Sequence, residues 1–183
     1  MQTTLLVVVI VVLVVAVLAI WFFNQRRKSQ QLQERFGPEY EHAVHEHGSR
    51  EQAEQALTAR AERVQQLHIR ALSPEESARY GESWRSVQAR FVDEPQVAIA
   101  DADRLVAEVM QARGYPMGEF EQRAADVSVD HPKVVENYRA AHAIAGRSDS
   151  GEASTEDLRQ AMVHYRSLFA ELIESPETAE VNR

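Results

Sequence analysis

The sequence predicts an all-α protein, built as an N-terminal transmembrane helix, a helical juxtamembrane stalk and a small helical bundle. Three observations predict it. Leu5 to Phe23, "LLVVVIVVLVVAVLAIWFF", holds nineteen residues with no charge, Gly, Pro or polar side chain. After it, apolar residues recur at helical spacing, while alternating runs of β-branched residues are absent. Finally, Pro and Gly fall where helices start and stop.

The first segment has the length of a bilayer span. At 1.5 Å per residue it extends roughly 28 Å, close to the hydrocarbon thickness of a membrane. A cleaved signal peptide fits less well: "MQTT" carries no positive charge, the apolar run is long, and Ile20-Trp21-Phe22-Phe23 continue past the poor cleavage site at Val17-Leu18-Ala19. Trp21 suits the interface, where the indole ring stays apolar and its N–H stays wet. Arg26, Arg27 and Lys28 follow the span and nothing basic precedes it. Basic residues stay on the cytoplasmic side, which predicts a single-pass cell-membrane protein with its N-terminus out and its C-terminal body in the cytoplasm. A body exported or facing the periplasm is the alternative. The absence of cysteine is compatible with either.

Residues 1–24 therefore read as the anchor, 25–72 as the stalk, 73–175 as the bundle and 176–183 as a frayed tail. The membrane helix continues through "NQRRKSQQLQERF" to Gly37, and Pro38 opens a short helix that Gly48 ends. A helix over about 50–70 carries Ala53, Leu57, Val64 and Leu67 on one face. "SPEESARYGESWRSVQARF" begins with a capping box, Ser73 with Glu76, and Pro74 at the first helical position. Its Tyr80, Trp84, Val87 and Phe91 form a core face. Pro95 opens the next helix, with Ala98, Ala102, Leu105, Val109 and Ala112 as its stripe and Gly114 as its stop. A short helix is expected around 117–127. Asp130 is expected to cap a helix bearing Val134, Val135, Tyr138, Ala141 and Ala145, and "GRSDSGEA" to form a loop. The last helix starts near Ser154, shows Leu158, Met162, Tyr165, Phe169 and Leu172, and is closed by Pro176. Trp84, Phe91, Tyr138, Tyr165 and Phe169 are expected to meet in the bundle core.

Seven histidines raise the question of metal. In "YEHAVHEHG", residues 40–48, His42 and His45 lie three apart on neighbouring faces while His47 points away, so one short helix cannot gather all three imidazoles. No HExxH pattern and no cysteine ligand accompanies them. Consecutive Asp130 and His131 rarely form a catalytic pair, and His142 sits on an apolar face four residues after Tyr138, as a hydrogen-bonded core or interface histidine would. No nucleophile elbow, Walker loop or dinucleotide glycine pattern occurs, so the expectation is no enzyme, no cofactor and no catalytic residue. All charges lie after the span and balance to 20 − 28 = −8 with no basic stripe beyond residues 26–28, which argues against nucleic acid. Charged neighbours such as Glu62 with Arg63 and Glu82 with Arg85 read as solvated helix faces.

"RFGPEY", "LSPEESARY", "WRSVQARFVD", "PQVAIADADRLVAEVMQARGYP", "FEQRAADVSVDHPKVVENYRAAH" and "GEASTEDLRQAMVHYR" together resemble a widespread, uncharacterised bacterial family of small single-span membrane proteins, usually labelled hypothetical, membrane or secreted. The resemblance covers nearly all of residues 32–172. It implies a membrane location but no activity, cofactor or catalytic residue. Family members carry other polar residues at His42 and His45, whereas His131, His142 and His164 fall inside the matching motifs and are the ligand candidates if a site exists. The expected role is thus a membrane-anchored interaction or scaffold protein, with the lipid bilayer at Leu5–Phe23 and a protein partner or second copy as its partners. A metal- or small-ligand-binding sensor using His131, His142 and His164 at the bundle surface is the alternative.

Overall fold

Proline and glycine divide the chain much as the spacing predicts. The computed structural model describes residues 2–174, without the side chains of residues 2–12, 14, 17, 21 and 24. Within those residues there are eight helices and no strand: α1 Gln2–Phe36, α2 Pro38–His47, α3 Arg50–Gln65, α4 Pro74–Arg90, α5 Pro95–Arg113, α6 Phe120–Asp130, α7 Val135–Asp149 and α8 Thr155–Glu174. Pro38, Pro74 and Pro95 open α2, α4 and α5, where the missing N–H costs no helical hydrogen bond. The capping box is complete: Ser73 Oγ accepts from the Glu76 backbone N–H at 3.2 Å, and Glu76 accepts from the Ser73 N–H at 2.8 Å. Arg70 clamps the same glutamate with both terminal guanidinium nitrogens and holds its carboxyl down to about 2.

Two compact units divide the chain after Leu57. In the first, the end of α1, then α2 and the start of α3 bury Phe36, Tyr40, Ala43, Ala53 and Leu57 completely. Tyr40 keeps its hydroxyl satisfied by donating to Glu54 at 2.8 Å. Among the described residues no helix is long and apolar enough to cross a membrane. Many side chains of the expected span, Leu5–Phe23, lie outside the described residues.

The second unit starts at Thr58 and contains the expected bundle. Helix α5 is its centre, packed against α4, α7 and α8. The predicted stripes of α5 and α8 are buried, apart from partial exposure at Ala112, and α5 also buries Ile99, Val106 and Met110. Trp84 and Phe169 stack at 4.6 Å, tying α4 to α8. Tyr80 and Phe91 are only partly buried against this core.

The structure corrects four expected boundaries. The helix expected to reach residue 70 ends at Gln65, because residues 68–70 are held against the end of α5: Arg113 O accepts from Arg70 N–H at 2.9 Å. The short helix runs 120–130 rather than 117–127. Asp130 is therefore the last residue of α6 and not the cap of α7. Pro132 drives the residue before it out of helical geometry, and His131 has φ −128° and ψ 53°. The Asp130 carboxylate instead accepts from the Tyr115 hydroxyl at 2.8 Å. Finally, α7 runs to Asp149, so half of "GRSDSGEA" is helical and the loop is confined to residues 150–154. The expected stop at Pro176 and the tail over 176–183 lie outside the described residues.

Arg113 is the largest fully buried side chain. Its Nε donates to Arg70 O at 3.2 Å and its guanidinium donates to Leu172 O at 2.8 Å, so it joins the loop before α4, the end of α5 and the end of α8. The next residue, Gly114, has φ +99°, and a Cβ there would stand 2.5 Å from His68 O. Both the backbone conformation and the close approach require glycine. Gly114→Ala is expected to destabilise the second unit by about 2 kcal/mol or more, measured by thermal denaturation of the purified chain. Gly146→Ala, inside α7 with open space around its Cβ position, is expected to raise stability by about 0.5–1 kcal/mol in the same assay.

Candidate functional site

Four helices of the bundle converge on His142. Asp103 lies on α5 beside the apolar stripe, and its Oδ1 accepts the Tyr165 hydroxyl of α8 at 2.8 Å. The same oxygen stands 3.5 Å from Nδ1 of His142 on α7. Phe120, the first residue of α6, stacks flat on the imidazole, with ring centroids 3.7 Å apart and planes 6° apart. Tyr138, one turn before His142, packs on Phe120 at 4.8 Å and accepts a hydrogen bond from Arg123 at 3.3 Å.

The electrostatics follow from this packing. Burial pushes the Asp103 carboxyl up, but the hydrogen bonds from His142 and Tyr165 outweigh it, and the group sits below the usual aspartate range. Burial raises the Tyr165 phenol, and the adjacent Asp103 raises it further, so the phenol stays a donor. An ionised Asp103 selects the tautomer of His142 with its proton on Nδ1, which leaves Nε2 as an acceptor turned away from Asp103. The His142 side chain is 38% exposed. It lines an open cleft of about 530 Å³ with Glu119, Phe120, Glu121, Arg139 and Ala143. An imidazole held by a carboxylate on one nitrogen and partly exposed at a cleft is suited to accept a ligand's hydrogen bond.

His131 lies at the α6–α7 joint and differs from the surface position expected for it, being only 4% exposed. Nδ1 faces Glu171 Oε1 of α8 at 3.2 Å, while Nε2 is buried with no hydrogen-bond partner among the described residues. Burial lowers its pKa below the ordinary 6.5, and the nearby Arg113 adds to that. The Glu171 hydrogen bond and the charge of Asp130 oppose the shift without cancelling it. His164 is half-buried on α8 and engages α7, with Nδ1 3.0 Å from Asn137 Oδ1, while the Asn137 amide donates to Ser167 at 3.2 Å. The three candidate histidines thus have three separate partners. Among the described residues no three His, Asp or Glu side chains gather as a metal-holding group, on α2 or elsewhere.

The sequence reading missed the partners that give His142 its geometry. Asp103 and Tyr165 are 62 residues apart, and Phe120 belongs to a helix whose start was placed three residues early. The detectable signal is a carboxylate next to Ala102, on the border of the apolar stripe of α5. Arg63 is exposed, as a solvated face requires, and also reaches into the bundle. It bonds the buried Asp126 of α6, while Arg60 donates to Ser128 at 3.1 Å, so this end of α3 belongs to the bundle.

Compared with protein-family models, curated proteins and solved structures, the chain matches none.

The burial of His131 sets a direction for pH dependence. Its pKa is depressed in the folded chain, so below about pH 6.5 the unfolded chain binds more protons and folded stability declines. The contribution is whole above the ordinary histidine value and is lost as pH falls from there towards the folded-state value. A His131→Gln variant should show a flatter change of melting temperature between about pH 7.5 and pH 5 than the parent chain. An unchanged slope would mean that other groups carry the acid sensitivity.

Proposed function

We propose that this chain is a single-pass, membrane-anchored helical module that holds its bundle at the membrane as an interaction or scaffold domain. The observation that carries the anchor is the surface of α1. Leu13, Val15, Leu18, Ile20 and Phe23 are each more than half exposed, and at 100° per residue they fall on all sides of the helix. A helix apolar all round is satisfied by lipid, whereas a helix docked on a protein needs only one apolar stripe. Nineteen uninterrupted apolar residues supply the length. The Arg26 guanidinium lies 4.6 Å from the Phe22 ring, a cation–π contact where the apolar stretch gives way to Arg27 and Lys28. This basic edge supports a cytoplasmic body.

The anchor is tested by alkaline extraction of membranes. The parent chain should remain in the pellet, and a Leu13→Arg/Leu18→Arg variant should move to the supernatant, since each central arginine costs about 3 kcal/mol of insertion. A soluble parent chain would overturn the anchor. Orientation is read from a Ser150→Cys variant, the chain's sole thiol, with a membrane-impermeant maleimide. Labelling is expected after permeabilisation only; labelling of intact cells would favour the exported body. In-cell crosslinking should then join the bundle reproducibly to one partner or to a second copy, and recovery of monomer alone would count against a scaffold.

The second reading, a small-ligand sensor, is favoured by the oriented imidazole of His142 at its open cleft. It needs none of the convergence between His131, His142 and His164 that a metal sensor would require.

A further inference from the structure

We propose that the His142 cleft binds a small organic cation, an ammonium carried on a compact apolar body. This deepens the small-ligand reading above and rests on it. The inference comes from the balance of donors and acceptors that the cleft offers. Arg139 donates to Glu136, 2.9 Å away on the same helix; only 15% of its side chain is exposed, and its Nε is buried, out of a ligand's reach. Glu119 and Glu121 are both exposed on the cleft wall, and neither forms an ion pair among the described residues. In a neutral imidazole whose Nδ1–H is directed at Asp103, Nε2 adds an acceptor.

The cleft is therefore rich in acceptors and short of exposed donors. An ammonium group is the complement, with three donors and no acceptor. A carboxylate or phosphate ligand would instead face two carboxylates and meet an arginine that is already paired. The apolar part of the ligand has Ala143 and the Phe120–His142 stack to rest on, and a volume of about 530 Å³ admits a molecule larger than a bare amine. The stack and the Asp103–Tyr165 pair hold the imidazole in place before any ligand arrives, so little ordering is needed on binding. Asp103 acts here as a positioning residue, through His142.

The test is NMR of the full chain in detergent micelles with isotope-labelled histidine, titrated separately with 2-phenylethylammonium chloride, sodium phenylacetate and zinc chloride. The expected result is a saturable shift of the His142 ring signals with phenylethylammonium alone. That binding should weaken about tenfold in a Glu119→Gln/Glu121→Gln variant, since charge-assisted hydrogen bonds are lost. It should persist in Glu82→Gln/Glu108→Gln, which makes the same change of net charge at exposed sites outside the cleft. His142→Phe, read through saturation-transfer signals of the phenylethylammonium itself, should abolish binding while keeping a flat ring on Phe120, with helix content by circular dichroism as the folding control. Equal weakening in both glutamine pairs would reduce the effect to general attraction by an acidic protein and overturn the proposal. A His142 shift with phenylacetate or zinc but not the amine would overturn the cation assignment and leave the small-ligand reading standing. No shift at His142 with any probe would remove both.

Discussion

The bundle depends on one buried cation. Arg113 is enclosed without a carboxylate partner among the described residues and spends its guanidinium on two backbone carbonyls, those of Arg70 and Leu172. Charge-assisted bonds to carbonyls make such burial tolerable, because an unmatched guanidinium in an apolar core would cost several kcal/mol. Leu172 lies on α8, so the arginine ties that helix to the loop before α4. Arg113 thus requires three segments to arrive together. The conformation of Gly114 and the hydrogen bond from Tyr115 to Asp130 extend the requirement to the loop at His68 and to the end of α6. Three consecutive residues, Arg113, Gly114 and Tyr115, hold one end of the unit.

Around that end the interior is unusually polar. Arg60, Asp126, Ser128 and His131 are buried beside an otherwise aliphatic and aromatic core. Hydrogen bonds made in a poorly hydrated setting are directional, and they select one docking of α3 and α6 where apolar contacts alone would accept several. His131 is the exception within this network, since one nitrogen lacks a partner. Burial of this ring disfavours its charged form, and the nearby Arg113 adds to the effect.

The His142 centre is built differently. Its ring is oriented by a carboxylate, a phenol and an aromatic stack from three other helices, yet it remains open to solvent on one side. A side chain needed only for packing could be held in such a place without an acceptor aimed at a cleft. That distinction separates His142 from His131, which is closed in, and from His164, which is tied to Asn137.

Sequence alone determined the all-helical class, the starts of α2, α4 and α5, the capping box at Ser73, the stop at Gly114 and the core stripes of α5 and α8. Each of these is a local matter, written in residues one to four apart or in a helical repeat. It also reduced "YEHAVHEHG" to a short helix between Pro38 and Gly48, by angular geometry alone. Tertiary structure decided the rest. Asp130 looks like a cap in sequence, but Pro132 and the Tyr115 hydroxyl make it a helix end. Arg63 stays on an exposed face, yet it also reaches the buried Asp126, and His131 looks exposed until the fold buries it. Arg113 meets Leu172 across 59 residues, and Asp103 meets Tyr165 across 62. Such contacts leave no periodic trace in the chain, because the partners become neighbours only after the helices have packed.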